Sequence, residues 1–150
     1  MKTIPKLPHA KVRRSRVFNN SQGWRTIAGR KIYFRSSWEV NYARYLEFLR
    51  EKKQIKEWFY EPQIFWFHEI KRGTRSYLPD FKVVRLDESH YWVEVKGYLD
   101  AKSKTKIKRF NKYYPHEELR VVDSKWFKQQ RTSLPILSEK WENEFTLGET

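Results

Sequence analysis

Asp80, Glu94 and Lys96 are spaced so that their side chains can meet. Asp80 follows Pro79 in the strand-like run Tyr77 to Val84, and Glu94 and Lys96 close the next such run, Tyr91 to Lys96. The turn residues Asp87-Glu88-Ser89 between them make an antiparallel pair whose facing residue numbers sum to about 175, which sets Asp80 across from residues 94 to 96. Side chains alternate along a strand, so Glu94 and Lys96 share one face while Val93 and Val95 take the other. Two carboxylates brought this close repel unless a divalent cation lies between them. A hard cation on oxygen ligands polarises a phosphodiester and acidifies the water bound to it. Lys96 beside such a cation could orient or deprotonate that water, or neutralise charge as a pentacovalent phosphorane forms. The competing reading is plainer: a turn residue after Pro79, and a surface cross-strand ion pair between Glu94 and Lys96.

Composition says what such chemistry would act on. The 150 residues hold 32 Lys and Arg against 18 Asp and Glu, a net charge of +14, which points to a polyanion. Aromatic residues at 17% supply more buriable surface than a disordered chain carries, so the chain folds. It has no Cys, which excludes disulfide scaffolds, thiolate nucleophiles, iron-sulfur clusters and Cys-based zinc sites. His9, His68, His90 and His116 show no paired ligand spacing, so a catalytic metal would rest on carboxylates, which suits Mg or Mn. No apolar run has membrane-spanning length and the N-terminus lacks the apolar stretch of a signal peptide, so the expected setting is intracellular and cytoplasmic, with no membrane partner.

The charge is unevenly spread. Residues 1 to 38 carry ten basic groups and no acid, residues 39 to 96 are nearly balanced, and residues 97 to 116 carry six basic groups against Asp100. Lys102, Lys104, Lys106, Lys108, Arg109 and Lys112 lie on a basic amphipathic helix just after the Glu94-Lys96 strand, where phosphate contact is expected. Lys11, Arg13, Arg14 and Arg16 belong to an extended arm, either a solubility tail or a segment that orders on DNA.

The elements that must hold these groups follow from periodicity. Residues 1 to 23 read as the arm, 24 to 136 as one domain and 137 to 150 as a tail of weak helix or loop. A hairpin, Trp24 to Ile27 and Lys31 to Phe34, precedes a helix opened by the capping sequence Ser36-Ser37-Trp38-Glu39 and running to Lys53 or Gln54. Strands are expected over Trp58 to Phe67, Tyr77 to Val84 and Tyr91 to Lys96, then a helix over 102 to 114 stopped by Pro115. Leu119 to Val122 is a short strand and Ser124 to Gln130 a short helix. The expected class is α/β, a mixed sheet flanked by helices in the order α-β-β-β-α-β. Trp24, Trp58, Trp66 and Trp92 are either core residues or stacking surfaces for unpaired bases.

Pro79-Asp80, thirteen intervening residues, then Glu94-Val95-Lys96 resembles the signature of the PD-(D/E)XK nuclease superfamily. Ser37-Trp38-Glu39, Tyr60-Glu61-Pro62, Tyr77-Leu78-Pro79-Asp80-Phe81 and Val93-Glu94-Val95-Lys96-Gly97 follow the order seen in its phage endonuclease I branch of Holliday-junction resolvases and in the N-terminal nuclease domain of TnsA. The resemblance covers about residues 35 to 115 and implies a restriction-endonuclease-like sheet. It implies Asp80 and Glu94 as metal ligands, Val95 lending its carbonyl, Glu39 completing a second metal site or orienting water, and Lys96 as the catalytic lysine. It further implies Mg or Mn and, for the resolvases, a homodimer acting on branched DNA. Two rivals remain at this level: a site-specific nicking, homing or transposition nuclease of the same fold, and a non-catalytic DNA-binding protein.

Overall fold

A computed structural model describes residues 22–133 and 141–142. The arm residues Lys11, Arg13, Arg14 and Arg16 therefore lie outside the described residues, as does most of the tail. The chain forms a mixed α/β fold whose elements run β1 (Gly23–Ile27), β2 (Arg30–Phe34), α1 (Ser37–Glu51), β3 (Glu57–Tyr60), β4 (Phe65–Trp66), β5 (Ser76–Tyr77), β6 (Phe81–Val84), β7 (His90–Val95), α2 (Ala101–Tyr113), β8 (Leu119–Val122) and α3 (Ser124–Ser133). Four strands make the main sheet in the order β3-β6-β7-β8. The first three pair antiparallel, and β8 runs parallel to β7 after crossing over through α2. The main sheet and its helices run α1, β3, β6, β7, α2 and β8 along the chain, with β4 and β5 inserted between β3 and β6. Among the described residues no helix is long and apolar enough to cross a membrane.

Alternation along β7 builds a core on each side of this sheet. Tyr91, Val93 and Val95 face α1 and α3, joining Val40, Leu46, Trp58, Phe81 and Phe127 in one cluster. Trp92 faces the other way, into a cluster with Phe65, Phe67, Tyr77 and Phe110 that seats α2 and the β4–β5 ribbon. Both of these tryptophans are buried, whereas Trp24 and Trp66 are exposed. Helix α1 starts where expected, with the Ser36 side chain accepting the Glu39 N–H at 3.2 Å. It stops at Glu51, ahead of Lys53 in the left-handed region (φ 55°). On α2 the inward residues are Phe110 and Ser103, with Ile107 only half-buried.

Two expected strands are each divided in two. The run Trp58 to Phe67 breaks at Glu61 (φ 45°) and Pro62, which has no N–H to continue a ladder. Its second half, β4, pairs instead with β5. The run Tyr77 to Val84 breaks at Leu78-Pro79-Asp80 for the same reason, so Asp80 precedes β6 and is not inside a strand. The register is Phe81 with Val93 and Lys82 with Trp92, one unit below the expected sum, which directs Asp80 towards Glu94.

Residues assigned to the tail also pack on this domain. Trp141 is buried in the larger cluster against Phe127, and Glu142 joins β1 to α1. Its carboxylate pairs with Arg25 on β1 at 2.5 Å and Arg44 on α1 at 3.7 Å, and its backbone exchanges two hydrogen bonds with the Asn41 side chain, at 2.8 and 3.1 Å.

Candidate active site

Glu39, Asp80, Glu94, Val95 and Lys96 all line one open cleft of about 550 Å³, together with Lys106 from α2. Each is delivered by a different local device. Glu39 sits in the first turn of α1, where the Ser36 cap fixes the helix start beside β2. Asp80 follows the Pro79 break with its carbonyl still accepting the Glu61 N–H at 2.8 Å, and its carboxylate accepts the Val95 N–H at 2.7 Å. Glu94 and Lys96 share a face of β7 and its continuation, as alternation requires. Lys106 lies on the first half of α2, placed by the crossover that follows Lys96.

Two tyrosines hold the outer carboxylates. The Tyr77 hydroxyl donates to Glu94 Oε2 at 2.6 Å, and the Tyr60 hydroxyl donates to Glu39 Oε2 at 2.5 Å. Glu39 also accepts the Arg35 N–H at 3.3 Å. Burial raises the proton affinity of both phenols, with Glu39 adding to it at Tyr60 and Glu94 at Tyr77, so both hydroxyls remain protonated donors. A fourth carboxylate, Glu61, borders the cleft on its strained backbone and pairs with Arg35 at 3.0 Å.

The electrostatics concentrate negative charge in a poorly solvated place. Burial is the first cause at all three carboxylates and raises each pKa above its ordinary range. Asp80 is raised furthest, because the charges of Glu94 and Glu39 add to burial while the Val95 N–H opposes it. At Glu94 the Tyr77 hydrogen bond, Lys96 and Lys106 pull the other way. Among the described residues no group of three or more His, Cys, Asp or Glu side chains is placed to hold a metal ion. The donor set is nevertheless of the right kind for a hard divalent cation: carboxylate oxygens only, mutually repelling, at the wall of an open cleft.

Other expected contacts are distributed differently. Lys102, Lys104, Lys108 and Lys112 are exposed on α2. Arg109 is half-buried, and its guanidinium donates to the Thr74 carbonyl, joining α2 to the loop before β5. Tyr60, Tyr77, Glu61 and Arg35 had no assigned role from sequence. The strand pattern marks both tyrosines as aromatic strand residues, and nothing in a period of two reports where a hydroxyl ends.

Tyr77 lends itself to a clean substitution. Tyr77→Phe keeps the ring against Phe110 and removes the one hydroxyl bonded to Glu94. Melting in the absence of metal should show a loss of about 1.5–3 kcal/mol, the usual worth of a hydrogen bond to a charged group. An unchanged melting curve would mean that water satisfies Glu94 equally well.

No protein-family model, curated protein or solved structure matches the chain.

Proposed function

We propose that this chain is a divalent-metal-dependent DNA endonuclease of the PD-(D/E)XK kind, acting on branched DNA as a homodimer. The observation that carries the reading is the gathering of Glu39, Asp80, Glu94, Lys96 and Lys106 around one cleft from four separate segments. A protein that only bound phosphates would gain nothing by burying carboxylates where phosphates arrive, since like charges repel.

In this mechanism Asp80 and Glu94 would hold the cation, and the Val95 carbonyl and Glu39 would be the further oxygen donors. When bound, Mg or Mn supplies Lewis-acid polarisation of the scissile phosphate and a more acidic water. The chain's own residues do the rest. Tyr77 and Tyr60 fix the orientation of the Glu94 and Glu39 carboxylates, so those oxygens are in place before the substrate arrives. The Lys96 amine stands beside Glu94, where it can take a proton from the attacking water or, as ammonium, offset the charge building on the phosphoryl oxygens. Lys106 adds a second cation on the same side. Water adds to phosphorus and one P–O ester bond breaks, leaving a phosphate end and a hydroxyl end. The exposed Lys102, Lys104, Lys108 and Lys112 contact flanking phosphates.

The deciding experiment sets a four-way junction beside linear duplex of the same sequence, each with Mg and with EDTA. The expected result is Mg-dependent nicking of the junction at positions fixed by the branch. Cutting of linear duplex at one sequence would replace the resolvase reading by a site-specific nuclease. Binding of both DNAs without cutting of either in Mg would remove the enzyme.

A further inference from the structure

We propose that the outward face of the β1–β2 hairpin is a stacking platform for unpaired bases, which leads a single-stranded stretch of DNA into the cleft. Only the strand's destination rests on the nuclease reading. The platform itself stands on the hairpin.

Alternation gives the hairpin two unlike sides. Ile27 and Phe34 are buried and Ile32 packs against the core. The opposite side presents Trp24, 60% exposed, and Tyr33, 43% exposed. These two are cross-strand partners, their rings edge-on at 5.4 Å and 76°. Lys31 lies two residues before Tyr33 and holds its ammonium 5.2 Å from the Trp24 ring centroid. Arg35 lies two residues after Tyr33, its side chain 64% exposed, and lines the cleft. At about 3.3 Å per residue, Lys31 to Arg35 is a track of about 13 Å that ends at the carboxylates. Residues 22 to 35 contain four basic groups and no acid; Arg25, Arg30 and Arg35 pair with Glu142, Glu57 and Glu61 from other segments.

This combination selects its occupant. An aromatic pair with cations before and after it matches a strand of alternating base and phosphate. A duplex keeps its base faces stacked internally and offers such rings nothing, so the occupant is unpaired. An apolar protein partner would not need the flanking charge. The other occupant to separate is a second copy of this chain, because among the described residues β1 and β2 pair only with each other.

The test measures binding in EDTA, so that no cutting is required. Fluorescent oligothymidine and a duplex of equal length are titrated with wild type, Trp24→Ala/Tyr33→Ala, Trp24→Phe/Tyr33→Phe and Trp66→Ala, with oligomeric state followed by sedimentation. Trp66 is the control, an equally exposed ring on β4 (50%) that is not on the hairpin. The double alanine variant should lose about 10- to 100-fold in single-strand affinity and less than about threefold in duplex affinity. The phenylalanine pair and Trp66→Ala should stay within about threefold of wild type on both. Equal loss on the two DNAs, no loss, or a changed oligomeric state with unchanged single-strand affinity would each overturn the platform. If the double alanine variant fails to fold, the phenylalanine pair decides through fluorescence: quenching of wild type by oligothymidine that is undiminished in the pair removes Trp24 from the contact. A junction that is bound through the hairpin yet never cut would sink the nuclease reading and leave the platform standing.

Discussion

Asp80→Asn is expected to abolish cutting and, in the same protein, to raise the metal-free melting temperature. Without the cation the transition state forfeits several kcal/mol, so turnover should fall about 10³-fold. Stability moves the other way because Asp80 is a burden to the empty fold. Its folded pKa stands well above the unfolded value, raised by burial and then by Glu94 and Glu39. Above the unfolded pKa, about 4, the folded state therefore holds a proton that the unfolded chain has released, and stability drains away as pH rises through that window. Asparagine has no such proton, so the variant's advantage should be absent at pH 4 and grow towards pH 8. A gain of about 0.5–2 kcal/mol is the usual size for relieving one unfavourable site, and 1 kcal/mol moves the midpoint by about 2–4 °C in a chain of this length. Adding Mn should then raise the midpoint of wild type and leave the variant unmoved. A variant that melts lower than wild type at every pH would show that the Val95 hydrogen bond outweighs the repulsion. One that cuts normally would remove Asp80 from the metal.

Lys96→Ala should slow cutting by about 10² to 10⁴, the range for a lost general acid or base, while DNA binding in EDTA changes by less than about threefold. The contrast with Asp80 lies in stability. Lys96 is among the groups that hold the Glu94 pKa down against burial, so its removal lets that pKa rise further. Between the unfolded pKa and the raised folded one the variant binds the extra proton, so it should be less stable than wild type at neutral pH and equal to it below pH 4. Lys96→Arg then assigns the role. Arginine keeps the charge and cannot give up its proton, so recovery of cutting would mean charge neutralisation, and continued loss would mean proton transfer. Cutting at the wild-type rate in the alanine variant would shift the role to Lys106, a second lysine lining the cleft.

What was legible in the sequence was the part governed by short-range periodicity. The 3.6-residue pattern after Ser36 located α1, and the period of two across residues 91 to 96 put Glu94 and Lys96 on one face. The Asp87–Ser89 turn set the register to within one residue of the observed one. What was missed came from proline and from distance. Pro62 and Pro79 lie inside runs whose aromatic and β-branched content outweighed them in a propensity reading, yet a missing N–H ends a ladder whatever its neighbours. The position matters chemically, since the residue that follows the Pro79 break is Asp80, whose carboxylate accepts the Val95 N–H. Alternation alone could not say that Trp58 and Trp92 would be buried and Trp24 and Trp66 left exposed, because that depends on what covers each face. Glu142 lies 101 residues from Asn41 and 117 from Arg25, separations on which no local pattern bears.

The Glu142 clasp bears on how the protein comes into being. Residue 142 is what ties Arg25, Asn41 and Arg44 together, so ribosomal synthesis must run past it before the hairpin has its anchor. A nascent chain that already contains every cleft residue, the last being Lys106, still lacks that closure for another thirty-six positions. An affinity handle or early stop codon placed before residue 141 would leave the hairpin's anchor unmade, and an engineer trimming this chain should keep those two residues.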